Sequence, residues 1–199
     1  MKSKSLLILG LCLTASVSFA DGTIDFTKLV SGALPNGPSP WGSVSLVNLG
    51  ANRVSLTLTN NMSLASGQFI SRLWLNIVSV PTNLSLVSKS ANVSSATWGT
   101  NAMNQNGYQF DLQMKLPTAN NNDGRLSGGE SATIVLDGTG LDSSKFMVTA
   151  NGPAGPLMGL IHIQDIDCKD SAKVGAVPEP ASMAAIGLGI ATLLRRRRK

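Results

Sequence analysis

Apolar and polar residues alternate with a period of two along most of this chain. Val54, Leu56 and Leu58 are interleaved with Ser55, Thr57 and Thr59, and Leu73, Leu75 and Ile77 share one side of the run 71–80. Phe110, Leu112, Met114 and Leu116 alternate with Asp111, Gln113 and Lys115, and the theme continues at Ile134 and Leu136, then at Phe146 and Val148. Successive side chains of an extended strand point to opposite faces, so each run reads as a half-buried strand. Turn-forming groups separate the runs: Asn60-Asn61, Pro81-Thr82-Asn83, Asn106-Gly107, residues 120–129, Asp137-Gly138 and Asn151-Gly152-Pro153. Helical periodicity is almost absent. The pattern predicts an all-β domain over residues 21–168, an antiparallel β-sandwich of jelly-roll or immunoglobulin-like type, with Ser and Thr on its solvated faces. The proline-rich segment 33–40 reads as an extended lead-in to a first core strand near Val44, and residues 169–176 as a short linker.

The two ends follow a different logic. Lys2 and Lys4 precede an apolar run at residues 6–13, and Ser18-Phe19-Ala20 puts small residues at the −3 and −1 positions. This is the layout of a signal peptide over residues 1–20, read by the Sec translocon and cut by signal peptidase before Asp21. At the other end stand Val177-Pro178-Glu179-Pro180, then an apolar run, 181–194, that opens on Ala181 and closes on Leu194. Arg195, Arg196, Arg197, Arg198 and Lys199 follow. As a helix the apolar run spans about 21 Å, short of a hydrocarbon core of about 30 Å. The basic cluster would stay cytoplasmic, which leaves the preceding domain on the outer side.

This end resembles the PEP-CTERM sorting signal of exopolysaccharide-producing bacteria: a polar motif, a short transmembrane helix and a basic stop over residues 177–199. The resemblance implies a chain anchored at first in the inner membrane by Ala181 to Leu194. An exosortase-type enzyme then processes it, with Pro178, Glu179 and Pro180 as recognition residues. The product goes to the cell surface or the extracellular matrix. A second set of pieces is similar to the domain of many uncharacterised PEP-CTERM proteins. These are Gly67-Gln68-Phe69-Ile70 before Leu73-Trp74-Leu75-Asn76, then Phe110-Asp111-Leu112, Arg125-Leu126, Gly129-Glu130 and His162-Ile163-Gln164. It implies an all-β exported domain and no particular activity.

Charge and cysteine content narrow the classes. The formal net charge of +5 resides in the ends: residues 21–176 carry nine Lys or Arg against ten Asp or Glu. The exported domain is therefore near neutral and lacks the basic footprint of a nucleic-acid binder. Cys12 leaves with the signal peptide, so Cys168 is alone and forms no internal disulfide. It reads as a small buried hydrophobe.

Three constellations could carry chemistry. Asn121, Asp123, Gly124 and Glu130 fall at positions three, five, six and twelve of a calcium loop, but Ala119 stands where the first ligand belongs. A polar turn accounts for the same residues, and calcium is the one cofactor they raise. His162, Asp165, Asp167 and Cys168 lie close in sequence, yet strand geometry sends His162 and the two carboxylates to opposite faces. Trp74, with Trp41, Trp98 and Tyr108, offers aromatic surface for stacking on sugars, and core packing is the competing use. The expectation is a non-enzymatic structural or adhesive component associated with exopolysaccharide. The alternative is a carbohydrate-binding module, calcium-assisted if the loop at Glu130 is engaged.

Overall fold

The computed structural model describes residues 22–119 and 124–178. Residues 1–20, Asn121, Asp123, Glu179, Pro180, the run from Ala181 to Leu194 and the basic cluster lie outside the described residues, and with them the signal-peptide and anchor readings. Strand formation follows the alternation. Among the described residues the chain lays down β1 (Gly22–Phe26), β2 (Lys28–Gly32), β3 (Gly42–Asn48), β4 (Arg53–Asn60), β5 (Phe69–Leu75) and β6 (Ser85–Lys89). It continues with β7 (Ser95–Gln105), β8 (Tyr108–Lys115), β9 (Leu126–Ser127), β10 (Ser131–Asp137), β11 (Gly159–Ile166) and β12 (Asp170–Ala176). Short 3-10 turns occupy Leu64–Ser66 and Ser143–Phe146.

These strands form an antiparallel β-sandwich, as the alternation predicts. One sheet has the order β1-β3-β4-β10-β6; the other runs β2-β12-β11-β5-β8-β7, with β9 beside β5. The inner face of the first sheet is built by Ile24, Phe26, Val44, Leu46, Val54, Leu56, Leu58, Ala132, Ile134 and Leu136, all buried. They meet Ile70, Leu73, Leu75, Leu112, Met114, Ile161, Ile163 and Val174 of the second sheet in one hydrophobic cluster.

The second sheet is buried on its outer face as well. Trp74, Leu160, Tyr108 and Phe110 join Ala150 and Leu157 in a separate cluster. The cover is the segment 147–158, folded back on itself by paired bonds between Ala150 and Leu157 (N–H to O, 2.8 and 3.0 Å). The Tyr108 hydroxyl pins it, accepting from Ala154 N and donating to Gly155 O, each at 3.0 Å. Lys28 Nζ donates to Ala154 O from β2. At Gly152 there is no room for a side chain, because a Cβ would lie 2.4 Å from the Tyr108 ring.

Several sequence expectations need correction. The first core strand is β1, ahead of Val44: one extended segment supplies β1 to the first sheet and, after Thr27, β2 to the second. Phe146 lies in a 3-10 turn capped by Asp142, whose carboxylate accepts from Ser144 N at 2.8 Å. Phe110 parts company with Leu112 at Asp111. There the register of β7 shifts, and the buried Asp111 carboxylate accepts Asn101 N (2.7 Å) and Ile77 N (3.0 Å). Residues 169–176 are no linker. Asp170–Ala176 is β12, paired with β11 on one edge and β2 on the other. Its small and polar residues suggested a spacer, and its turn hides from sequence. Asp167 and Cys168 are both at positive φ, 49° and 65°, without the glycine that normally marks such a mirror-image turn. Cys168 is accordingly exposed at the hairpin tip, rather than buried.

The Tyr108 hydroxyl makes two bonds to a segment held otherwise by few polar contacts. Tyr108→Phe should lower stability by about 1–2 kcal/mol, the net worth of two such bonds, seen as a lower urea midpoint. Gly152→Ala should cost more, since the new methyl must displace the ring.

Candidate functional site

The outer face of the first sheet lines up eight hydroxyl residues in rows. Alternation puts Thr23, Ser43, Ser45, Ser55, Thr57, Thr59, Ser131 and Thr133 opposite the core, and the register then aligns them across strands. Thr23 faces Ser45, Ser45 faces Thr57, and Thr57 faces Thr133. One step along, Asp25 faces Ser43, Ser43 faces Thr59, and Thr59 faces Ser131. Neighbouring strands lie about 4.8 Å apart and alternate residues about 6.6 Å apart, so these groups form a grid. Adjacent hydroxyls bond in pairs, Thr57 Oγ1 to Thr133 Oγ1 at 2.9 Å and Thr59 Oγ1 to Ser131 Oγ at 2.8 Å. Each hydroxyl has a donor and two acceptor positions, so capacity remains on the solvent side. The face carries few charges: Arg53 and Asp137 neutralise each other at one end with a 3.0 Å ion pair, and the exposed Asp25 stands in the second row opposite Ser43. Sequence alternation locates these residues singly; only register shows that they line up.

The second region is the exit of the C-terminal motif. Gly159 pairs with Ala176, and Met158 N donates to Ala176 O at 2.8 Å, so β12 is held to its last residue. Val177 and Pro178 follow at once. They line a cleft of about 640 Å³ together with Thr23, Ile24, Asp25, Thr27, Met147 and Met158. Of the sorting-motif residues, Pro178 is therefore placed against β1, while Glu179 and Pro180 lie outside the described residues.

The other candidates are dispersed. Trp74 is fully buried, with Lys173 Nζ 6.0 Å above its ring, so it presents no face for a sugar to stack on. Its position between Leu73 and Leu75 is the second buried layer, because β5 is covered on both sides. Trp41 and Tyr108 are buried too, and Trp98 is half-buried against the main core. Glu130 closes its own turn, with Oε2 accepting from Ser127 N at 2.8 Å. Among the described residues no group of three His, Cys, Asp or Glu could hold a metal ion.

His162 is half-buried on β11. Its Nδ1 lies 3.1 Å from Ser71 Oγ, at the bulge where Ser71 has no partner in the register of β5 with β11. Burial first, then the positive charges of Lys173 on β12 and Arg72 on β5, push the imidazole down to about 4. Asp165 turns the other way, into a 3.7 Å contact with Arg125, whose guanidinium stacks 4.2 Å over Phe69. Cys168 sits at the hairpin tip. His162 thus stands apart from the rest of the cluster: Asp167 Oδ1 accepts from Asn36 Nδ2 at 3.1 Å, while Asp165, at the bulge that ends β11, and Cys168 line one shallow cleft with Arg125.

Residues 176–199 match the family model of the PEP-CTERM protein-sorting motif. No curated protein and no solved structure matches the chain. The chain therefore carries a C-terminal sorting signal and is an exported protein, a substrate of exosortase-type processing.

The histidine gives a pH dependence with a definite sign. Unfolded, His162 takes a proton near 6.5; folded, it stays neutral down to about 4. Its contribution to stability is whole above pH 6.5 and declines as pH falls through that window. The Asp142 carboxyl, held below its usual value by the Ser144 hydroxyl, acts at lower pH. The drop in urea midpoint between pH 7 and pH 4.5 should shrink in His162→Gln.

Proposed function

We propose that the exported domain is a structural, adhesive component of an extracellular polysaccharide matrix, and that the hydroxyl grid of the first sheet is its contact surface. The chain enters by the Sec translocon, loses residues 1–20 to signal peptidase, and is released from its anchor by processing near Pro178, Glu179 and Pro180. The observation that carries the reading is the alignment of Thr23, Ser45, Thr57 and Thr133 beside Ser43, Thr59 and Ser131, with Asp25 the one carboxylate in the two rows. Neutral hydroxyls facing outward suit a hydroxyl-rich polymer better than a charged one, which would need compensating ions. One sugar–hydroxyl bond is worth about 1 kcal/mol in water. Affinity for a polymer comes from repetition, since each bound unit holds the next at high effective concentration. No bound sugar ring needs an aromatic platform in this arrangement, consistent with the burial of Trp74.

The test is retention of the mature protein in the matrix of its own host. Intact mass first establishes that the recovered chain starts at Asp21 and ends near the motif. Thr57→Val with Thr133→Val keeps shape and strand preference while removing two hydroxyls. Retention should fall about tenfold, the equivalent of roughly 1.4 kcal/mol, with the urea midpoint unchanged or higher. Unaltered retention would sink the reading.

A further inference from the structure

The outer face of the second sheet carries a line of basic side chains across its strands. Register sets Lys173 of β12 opposite His162 of β11, His162 opposite Arg72 of β5, and Arg72 opposite Lys115 of β8. All four face away from the main core, because their neighbours Val174, Ile161, Leu73 and Met114 face into it. Serines close the line at both ends, Ser31 opposite Lys173 and Ser95 opposite Lys115. At about 4.8 Å per strand, Lys173 and Lys115 stand about 14 Å apart at the backbone.

This is an unfavourable way to place cations. Opposite charges directly across two strands attract, and like charges repel. The first sheet keeps that rule, since Arg53 and Asp137 are cross-strand partners joined at 3.0 Å. The second breaks it at Arg72 and Lys115, which are exposed and form no ion pair among the described residues. Lys173 meets only neutral oxygens, Gln105 Oε1 at 2.7 Å and Asn106 Oδ1 at 2.8 Å. Lys28, opposite Gly175 on β2, adds a further cation and donates to Ala154 O.

The carboxylates of these strands do not answer the line. Asp111 is buried and accepts from Asn101 N and Ile77 N. Asp165 contacts Arg125, and Asp170 pairs with Ile166; both lie past the Gln164↔Ser171 pair, toward the Cys168 hairpin. The segment 147–158, over the neighbouring row at Trp74 and Leu160, has no charged residue.

We infer that this line is a binding site for an acidic polysaccharide, which lies across the strands with its carboxylates on Lys173, Arg72 and Lys115. Ser31, Gln105, Asn106, Gln164 and Ser95 supply neutral donors and acceptors for the sugar hydroxyls alongside. A single-stranded nucleic acid needs exposed aromatic rings to stack its bases, and Trp74, Tyr108 and Phe110 on this side are buried. A lipid surface needs protruding apolar side chains, and the line has none. The site is on the opposite face of the sandwich from the hydroxyl grid, so each stands or falls without the other.

The chain has a single histidine, and it sits within the line. Its imidazole resonance, followed in the full chain in uncharged-detergent micelles at pH 7 and low salt, reports on this site and not on the basic tail 195–199. Polygalacturonate should move that resonance saturably, while dextran, a neutral polymer, should leave it in place. Arg72→Gln with Lys115→Gln should weaken polygalacturonate binding about tenfold, with the urea midpoint unchanged or higher as the repulsion is relieved. Lys89→Gln with Lys145→Gln removes the same charge elsewhere and should weaken it by no more than about twofold. A resonance unmoved by polygalacturonate, an equal response to dextran, or equal losses in the two double variants overturns the inference. Tighter binding of a single-stranded DNA oligonucleotide at the same resonance overturns it too, and gives the line to nucleic acid.

Discussion

Burial of the centre of the second sheet on both faces, around Trp74, Tyr108, Phe110 and Leu160, is the constraint on which the rest of this structure depends. Leu73, Leu75, Ile161 and Ile163 face the first sheet, while Trp74 and Leu160 face away from it and need a cover of their own. An ordinary two-layer sandwich would leave that outer face wet. Here the segment 147–158 closes over it, fastened by the Tyr108 hydroxyl and Lys28, and Lys173 reaches across the Trp74 ring to Gln105 Oε1 at 2.7 Å and Asn106 Oδ1 at 2.8 Å. Double burial also brings polar groups under cover. Asp111 answers by accepting two backbone N–H groups, and His162 by staying neutral beside Ser71.

That constraint explains which parts of the fold can be read from the chain. β3, β4 and β10 have one wet face, so their alternation is clean, and the rows of Val, Leu and Ile against Ser and Thr announce them. β5 and β11 are wet on their outer face only at Arg72, His162 and Gln164, and Trp74 between two leucines looks like either a solvent-facing platform or a second layer until the cover is seen. β6 and β7 are edge strands with modest burial and weak patterns. β12 was hidden for a different reason: its residues are small, and Asp167-Cys168 occupies a turn that sequence habit assigns to Asn-Gly or Asp-Gly. The sorting motif was fully legible, because a processing enzyme reads linear order and needs no fold to display it. The hydroxyl grid was half legible. Alternation names its members, but their alignment across β1, β3, β4 and β10 depends on register, which no single strand encodes.

The first sheet and the C-terminal exit adjoin each other. Thr23 and Asp25, members of the two rows on the outer face, also line the cleft that holds Val177 and Pro178. The surface proposed to meet a polymer therefore borders the place where the sorting signal begins.

β12 has one more consequence, a mechanical one. It is an interior strand, registered with β11 from Ile166↔Asp170 to Gly159↔Ala176 and with β2 from Lys28↔Gly175 to Gly32↔Ala172. Tension applied at the tail while the domain is gripped from outside runs along the axis of this strand. It loads the hydrogen bonds on both edges in shear, so that many must give way together, whereas a tail leaving at right angles from an edge strand would peel them one at a time. Force on the C-terminus thus meets the pairing of β12 with β11 and with β2 together.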